Sequence, residues 1–155
     1  MDPAARKYKR PESVLVVVAT RTGRVLLMQR RDDPGFWQSV TGSLRWDEHS
    51  PAVAAARELA EETGLPPDGL TDLHWVQHFP ILPVWRARFA PEVRENVEHA
   101  FALWLPTEQP VILNPREHLA FDWVGFDEAL QKASSWSNRN VIERLAADQR
   151  KEEGT

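Results

Sequence analysis

The strongest constraint on the fold is a group of three carboxylates, Glu58, Glu61 and Glu62, close to the end of a short helix. A helix advances about 100° per residue, so these side chains lie within an arc of roughly 100° on one face. Glu58 and Glu62 are like charges at i and i+4, which costs on the order of 0.2–0.5 kcal/mol. The last helical turn is also the negative end of the helix dipole. A hard divalent cation such as Mg²⁺, which prefers oxygen ligands, would reverse the sign of this clustering.

The ends of this helix are marked by residues that start and stop helices. Ser50 is a good N-cap, and Pro51 is favoured at the first helical position. At the other end, Gly64 suits the left-handed residue that closes many helices, and Pro66-Pro67 prevent any continuation. The sequence therefore predicts a helix that begins near Ser50-Pro51 and ends at Thr63.

An ordinary explanation of the same residues is a solvated acidic helix face, in which Arg57 and Glu61 form an i, i+4 ion pair. The full pattern, however, also requires Leu59, Gly64 and Leu65 at fixed positions. From average residue usage, such a nine-residue pattern arises by chance in roughly one chain in 10⁴–10⁵. A metal-binding role is therefore the better interpretation.

Composition limits the classes of function that are open to the chain. Its 155 residues suffice for one domain with a sizeable core, and the net charge is −4. Neither nucleic acid nor a membrane is an expected partner, because general binding to nucleic acid or to an anionic membrane needs a basic face. The absence of cysteine excludes disulfides, thiolate metal sites and cysteine catalysis. The longest apolar run, residues 14–19, is too short to cross a bilayer, and a cytoplasmic protein is expected.

The rest of the chain is divided into short elements by turn residues. Strands are expected at Ser13–Thr20, Arg24–Gln29, Leu73–Phe79, Val84–Phe89, His99–Leu105 and Phe121–Val124, and further helices at Phe126–Lys132 and Ser137–Lys151. The first strand is apolar at consecutive positions, which predicts burial on both faces. This order predicts an α/β (α+β) fold in which a mixed β-sheet is sandwiched between helices. A single domain over residues 1–155 is expected, with flexible ends at 1–7 and 150–155.

The spacing R-E-U-x-E-E-x-G-U, in which U is aliphatic, resembles the second half of a Nudix box. That box is the signature of Mg²⁺-dependent hydrolases of nucleoside diphosphate-linked compounds, and the resemblance implies the Nudix fold. From about residue 8 to residue 145 the chain resembles the bacterial dihydroneopterin triphosphate pyrophosphatases, also described as dATP pyrophosphohydrolases. The segments that carry this similarity are Lys9–Pro11, Val25–Pro34, Phe36–Ser43, Glu117–Ala120 and Ser135–Arg139.

One departure from the box lies between Gly42 and Arg57. The usual box is G-x₅-E-x₇-R-E, whereas here fourteen residues, one more than usual, separate the glycine from the arginine. The spacing from Gly42 to Glu48 is kept, so the extra residue lies between Glu48 and Arg57. When the box is counted back from Arg57 instead, the position expected to hold its first glutamate is occupied by His49. Glu48 reaches the site only if the loop before Pro51 absorbs the insertion.

The resemblance implies a role for each acidic residue. Glu58 and Glu62 would ligate the metal, and Glu61 would be a further ligand or an outer partner. Glu117, from a later loop, would complete the metal site or serve as the general base. Arg57 would orient a carboxylate through a charge-assisted contact. The expected cofactor is Mg²⁺, with Mn²⁺ as an alternative.

Substrate contacts are implied at a second group of residues. Lys9 and Arg30 are candidate partners for phosphate oxygens, and Arg30 is capable of bidentate binding. The other candidates are Thr41, Phe79, Pro80, Ile81, Leu82 and Ser135. Phe79 is suited to stack on a pterin or purine ring, although an apolar residue in this segment is also typical of a core. His118 is not among them and is expected to be structural.

These observations lead to one hypothesis with two alternatives. The hypothesis is a Mg²⁺-dependent pyrophosphohydrolase that cleaves dihydroneopterin triphosphate to the monophosphate and pyrophosphate, in folate biosynthesis. The first alternative is a housecleaning hydrolase of dATP or other nucleoside triphosphates. The second is a catalytically silent domain that only binds nucleotides. In each case the partner is a small molecule, and a monomer or a weak homodimer is expected.

Overall fold

The computed structural model describes residues 7–154, which form one seven-stranded sheet and three α-helices. The strands are β1 (Glu12–Thr20), β2 (Arg24–Arg30), β3 (Trp37–Gln38), β4 (Val40–Ser43), β5 (Leu70–Pro80), β6 (Glu95–Leu105) and β7 (His118–Gly125). The helices are α1 (Pro51–Thr63), α2 (Phe126–Lys132) and α3 (Trp136–Glu153). Within residues 7–154, none of the helices combines the length and the apolar character needed to traverse a bilayer.

The two ends that the sequence predicts to be flexible are only partly described. Residues 1–6 and residue 155 lie outside the described range. Residues 150–153 belong to α3.

The central strand of the sheet is β1. It pairs in parallel with β6 along its whole length, from Glu12 opposite Val97 to Thr20 opposite Leu105. Its other edge pairs antiparallel with β4 and, near its C-terminal end, with β2. Beyond these strands, β5 pairs with β6, and β3 and β7 pair with β2. The sheet is therefore mixed, as the sequence predicts.

Each face of β1 contributes to a separate hydrophobic core. Its even-numbered residues from 14 to 18 pack with α1, and its odd-numbered residues from 15 to 19 pack with α2 and α3. Side chains alternate between the two faces of a strand, so a strand that is apolar at every position requires cover on both faces. The predicted sheet between helices is confirmed.

Helix α1 begins and ends where the sequence predicts. Ser50 is its N-cap, and the Ser50 hydroxyl accepts a hydrogen bond from the Ala52 N–H at 3.2 Å. Gly64 follows the last helical residue with φ of 74°, and its N–H donates to the Ala60 carbonyl at 3.0 Å. These fixed ends determine where the carboxylates of the last two turns lie relative to the sheet.

The prediction of a strand at Val84–Phe89 is wrong. Residues Pro83–Arg88 form a 3₁₀ helix instead, and the Trp85 N–H donates to the Leu82 carbonyl at 2.9 Å. Proline has no N–H for a strand ladder, and its fixed φ suits the first turn of a helix. The segment lies outside the sheet, and Trp85 and Arg88 line the cavity described below.

Replacing Gly64 by alanine is expected to lower the free energy of unfolding by about 1–2 kcal/mol, because a residue with a Cβ is strained in the left-handed conformation. Urea denaturation measures the change. Gly35→Ala is the matched control, since the φ of Gly35 lies outside the left-handed region and an added Cβ would make only an ordinary contact, at 3.7 Å from Asp33 Oδ1. Equal destabilisation by the two substitutions would contradict the left-handed cap as the cause.

Candidate active site

Gly42, on β4, lies directly against the carboxylate of Glu58 on α1. A Cβ at position 42 would lie 2.7 Å from Glu58 Oε2 and closer still to Oε1. Both separations are shorter than a van der Waals contact, so any larger residue would displace the carboxylate. Glycine therefore allows α1 to approach the sheet closely while Glu58 remains between them.

Arg57 contacts three carboxylates of the same segment. Its Nε and Nη2 donate to the two oxygens of Glu48 at 2.9 and 2.7 Å. Its Nη1 donates to Glu58 Oε1 at 2.7 Å and to Glu61 Oε2 at 3.3 Å. Hydrogen bonds from Arg57 hold the pKa of Glu48 below its usual range. The bidentate pair fixes both planar groups, so Arg57 orients Glu48 and Glu58.

The inserted residue does not remove Glu48 from this network. In the loop before α1, the Glu48 N–H donates to the Arg45 carbonyl at 3.0 Å, and Glu48 Oε1 accepts the Arg45 N–H at 2.7 Å. His49, which holds the position counted back from Arg57, is exposed. The loop absorbs the extra residue, and Glu48 rather than His49 pairs with Arg57.

Glu62 is a buried carboxyl without a hydrogen-bond partner. Its exposed fraction is 1%, and neither of its carboxylate oxygens has a partner among residues 7–154. Burial raises the pKa of Glu62 well above its usual range, and the neighbouring Glu58 and Glu117 raise it further. The backbone of Thr41 acts in the opposite direction. A buried carboxylate with so little compensation opposes folding, so protonation or a bound cation would stabilise Glu62 at this position.

Glu117, the last residue before β7, and His118, the first residue of β7, lie beside Glu62. One ligand atom from each of the three residues lies within 4.8 Å of the others. His118 is buried, and its Nε2 lies 3.7 Å from Glu62 Oε1, whereas Glu117 is exposed. Burial lowers the pKa of His118 to about 4, which leaves it neutral at neutral pH. Burial, Glu58 and Glu61 raise the pKa of Glu117.

The donor set fits a hard divalent cation. Glu58, Glu62 and Glu117 offer carboxylate oxygens, which Mg²⁺ and similar ions prefer. The unpaired oxygens of Glu62 and the proximity of the three carboxylates both oppose folding until positive charge is supplied. A cation bound here would reverse that effect. His118, which the sequence indicates only as structural, is the additional member of the group that the tertiary structure reveals.

A cavity of about 400 Å³ opens beside Gly42. All eight residues for which the sequence implies substrate contact lie in its wall: Lys9, Arg30, Thr41, Phe79, Pro80, Ile81, Leu82 and Ser135. This volume is within the range of pockets that bind small molecules. The structure thus brings these residues together around one space, and their contact with substrate stays a prediction.

Lys9 lines the cavity and lies within electrostatic reach of Glu58 and Glu117. Burial lowers the pKa of Lys9, and Arg88 and Arg30 lower it further, whereas Glu58 and Glu117 raise it. Its ammonium group is therefore within electrostatic reach of both the basic residues of the cavity wall and the acidic cluster. A chain of phosphate groups that ran from the cavity towards the cluster would pass this cation.

Arg30 is held in place by Asp32 and two aromatic rings. Its Nε and Nη2 donate to the two oxygens of Asp32 at 2.7 and 2.6 Å, and its Nη1 donates to Gln38 Oε1 at 3.3 Å. The guanidinium lies 5.2 Å from the centre of the Trp85 ring and 5.9 Å from that of Phe36. The Nε and Nη2 donors of Arg30 are the pair expected to bind phosphate, and Asp32 occupies both. Bidentate phosphate binding through these two atoms therefore requires that phosphate replace Asp32.

The cavity wall also contains buried polar residues that the sequence did not indicate. Asn96 and Glu98 lie on β6, Gln38 on β3 and Asn138 on α3. Burial raises the pKa of Glu98 to about 7. The available signal was the spacing of Asn96 and Glu98, two polar residues near the start of β6, because a spacing of two places both on one face of a strand.

The carboxylate cluster and the sheet between helices agree with the comparisons with known proteins. Residues 9–145 match the model of the NUDIX domain, and the chain belongs to the Nudix family. The predictions of a Nudix fold and of a Nudix hydrolase are therefore confirmed. Members of this family act on small phosphate-containing molecules with a divalent cation, and the group of Glu62, Glu117 and His118 offers metal ligands.

Individual relatives are similar over most of the chain. Over 143 aligned residues the chain is 45% identical to the dihydroneopterin triphosphate diphosphatase of Escherichia coli (strain K12). The alignment covers 89% of this chain and 93% of that protein. It is 40% identical to the Haemophilus influenzae protein of the same name, with 89% of each chain covered. The structure of the E. coli dihydroneopterin triphosphate pyrophosphohydrolase superposes with a TM-score of 0.84, at 42% identity over 91% of this chain and 98% of that chain.

Replacing Glu62 by glutamine is expected to abolish cation-dependent hydrolysis and to stabilise the metal-free protein at neutral pH. The raised pKa of Glu62 means that its ionisation opposes folding as the pH rises through that pKa. The gain in Tm is therefore absent below the unfolded pKa of the carboxyl and reaches about 2–4 °C at mildly alkaline pH. Thermal denaturation in EDTA measures it. The exposed Glu143 supplies the control variant, Glu143→Gln, and retained activity in Glu62→Gln would refute the metal-site assignment.

Replacing Arg57 by lysine is expected to lower kcat/KM by about 10- to 100-fold, since a single ammonium cannot reproduce the bidentate pair with Glu48. The apparent affinity for the cation, measured by calorimetric titration, should fall with it. Arg24→Lys is the control, because Arg24 is exposed and its nearest carboxylate oxygen is 3.9 Å away. An unchanged cation affinity in Arg57→Lys would contradict the orienting role.

Proposed function

We propose that this protein is a Mg²⁺-dependent pyrophosphohydrolase that cleaves dihydroneopterin triphosphate to the monophosphate and pyrophosphate. The observation that carries the proposal is a ring-sized cavity beside Gly42, the residue that packs against the Glu58 carboxylate, with Lys9 in the cavity wall within electrostatic reach of Glu58 and Glu117. The identity of the ring is supported by similarity to the E. coli and H. influenzae proteins that bear the name of this activity. The corresponding biological role is a step of folate biosynthesis.

The cavity would hold the ring and direct the phosphates towards the cluster. Phe79 and Trp136 line it with ring centres 6.2 Å apart in an edge-to-face arrangement, which suits an aromatic guest. Lys9 would neutralise phosphate oxygens, and Arg30 would join it when Asp32 is exchanged for phosphate. Arg57 would hold the carboxylates in position without touching the substrate.

Glu58 and Glu62 would hold the Mg²⁺, with Glu61 as a further ligand or an outer partner, and Glu117 would complete the metal site or serve as the general base. When bound, the cation neutralises phosphoryl oxygens and lowers the pKa of a ligated water. Mn²⁺ accepts the same oxygen ligands and is the alternative cation.

Glu117 is the candidate general base. Burial and the neighbouring Glu58 and Glu61 raise its pKa, and a raised carboxyl pKa favours proton transfer at neutral pH. Its side chain is exposed, so an attacking water reaches it. The Glu117 carboxylate would take the proton of the water that attacks the α-phosphorus, and pyrophosphate would leave.

The domain count, oligomeric state, location and partners of the protein are proposed from its sequence. Residues 1–155 would act as one domain, as a monomer or a weak homodimer in the cytoplasm. Neither nucleic acid nor a membrane would be a partner, in agreement with the net charge of −4.

The proposed function is tested by steady-state kinetics on dihydroneopterin triphosphate, dATP and other nucleoside triphosphates with Mg²⁺. A kcat/KM for the pterin that exceeds that for dATP by about tenfold or more is expected, with pyrophosphate as the product. EDTA should abolish turnover, and Mg²⁺ or Mn²⁺ should restore it. A clear preference for dATP would overturn the choice of substrate, and release of orthophosphate would overturn the choice of bond.

A further inference from the structure

Glu98 is a buried carboxyl in the cavity wall that the proposed hydrolysis does not use. Its exposed fraction is 5%, and its Oε1 has no hydrogen-bond partner among residues 7–154. Asn96, two residues earlier on the same face of β6, is also buried and lines the cavity. Its Nδ2 donates to Ser13 Oγ at 2.8 Å, which leaves its Oδ1 without a partner in the same part of the chain.

These two side chains place unpaired acceptors on one strand face in the wall of an open cavity. Buried polar atoms in native structures are almost always hydrogen-bonded, and an unpaired one is unfavourable to the folded state. The Ser137 hydroxyl also hydrogen-bonds the Glu98 carboxyl, so of these two side chains only Glu98 Oε1 and Asn96 Oδ1 lack a donor among residues 7–154. A ligand in the cavity would supply donors to these acceptors. Carboxylate oxygens are the stronger acceptors of the two groups, so Glu98 is expected to dominate recognition.

The groups that face Glu98 from neighbouring strands and helices are uncharged. Its register partners are Ser13 on β1 and Gln77 on β5, and the hydroxyl of Ser137 on α3 is the group that lowers its pKa. Arg139, a charged residue of α3 in the cavity wall, donates through Nη1 to two backbone carbonyls. Burial is the larger influence and raises the pKa of Glu98 to about 7.

The ring edge that suits a carboxylate has two adjacent donors. A 2-amino-4-oxopyrimidine, the ring that pterins and guanine share, presents a ring N–H beside an exocyclic amino group, and an ionised carboxylate accepts from both. Adenine presents a ring nitrogen acceptor beside its amino group, so one carboxylate oxygen would face a lone pair.

We propose that Glu98, with Asn96 beside it, is the specificity-determining residue that selects a 2-amino-4-oxopyrimidine ring over adenine. The inference rests on the proposed hydrolysis of a ring-linked triphosphate at this cavity.

The protonation state of Glu98 makes this selectivity depend on pH. A protonated carboxyl offers one donor and one acceptor, which match the ring nitrogen and the amino group of adenine. The ionised carboxylate offers two acceptors, which match the two adjacent donors of the pterin. With a pKa of about 7, the protonated form prevails in mildly acidic solution and the ionised form in mildly alkaline solution. The preference for the pterin over dATP therefore rises with pH.

Glu98→Gln separates recognition from hydrolysis, because the amide keeps the volume of Glu98 and presents a donor beside an acceptor. With Mg²⁺, kcat/KM for dihydroneopterin triphosphate and for dGTP should fall by about 10- to 100-fold or more, while kcat/KM for dATP stays constant or rises. Glu95→Gln is the matched control, since Glu95 lies on the same strand, is exposed and pairs with His78 at 2.9 Å. An equal loss for all three substrates, or an unchanged ratio between them, would overturn the inference.

A second measurement uses the wild-type protein and holds if Glu98→Gln fails to fold. The ratio of kcat/KM for dihydroneopterin triphosphate to that for dATP should rise from about pH 6 to about pH 8.5 by up to tenfold per pH unit below the pKa of Glu98. The triphosphate and the cation are common to both substrates, so their titrations cancel in the ratio. A flat ratio would contradict the role of Glu98.

The two proposals fail in different ways. If the proposed function is wrong, the wild-type protein does not turn over dihydroneopterin triphosphate, but the ratio of dGTP to dATP still responds to Glu98→Gln and to pH. If the Glu98 inference is wrong, the wild-type protein hydrolyses the pterin, and that ratio responds to neither change.

Discussion

The close packing of α1 on β4 at Gly42 is the contact on which the rest of the site depends. Because position 42 lacks a Cβ, the carboxylate of Glu58 fits between the helix and the sheet. Arg57 then holds Glu58 and Glu48 from the side. The same approach places Glu62, one turn further along α1, where the loop before β7 brings Glu117. A wider separation of helix and sheet would move Glu58 and Glu62 away from Glu117.

Two unpaired buried carboxyls define the chemistry at the two parts of the site. Glu62 lies among other carboxylates, so its unpaired oxygens favour a cation. Glu98 pairs in register with Ser13 and Gln77 and lies beside the Ser137 hydroxyl, so its unpaired oxygen favours neutral donors on a ring. Burial raises the pKa of both groups, but the neighbouring charges make them suited to different ligands. In both cases the folded protein retains an unfavourable group that a ligand compensates.

The features that could be predicted from the sequence are local ones. The limits of α1 follow from Ser50, Pro51 and Gly64, which act on their own backbone, and β1 follows from an unbroken apolar run. The strand expected at Val84–Phe89 was wrong because its apolar residues suggested a ladder, whereas Pro83 and the lack of a partner strand favour a 3₁₀ helix. The cavity residues came from resemblance to a family rather than from physical reasoning on each residue. Their isolated sequence positions carry no signal that distinguishes a pocket wall from a core.

The sequence by itself determined the acidic face of α1, the ends of that helix and the covered sheet, because helix periodicity, capping and strand alternation act over a few residues. Only the tertiary structure decided that Glu48 rather than His49 pairs with Arg57, that His118 joins the carboxylates, and that Asp32 occupies the fork of Arg30. It also decided that Glu98 lines a cavity. Each of these features depends on loop geometry or on strand register rather than on a repeating local pattern.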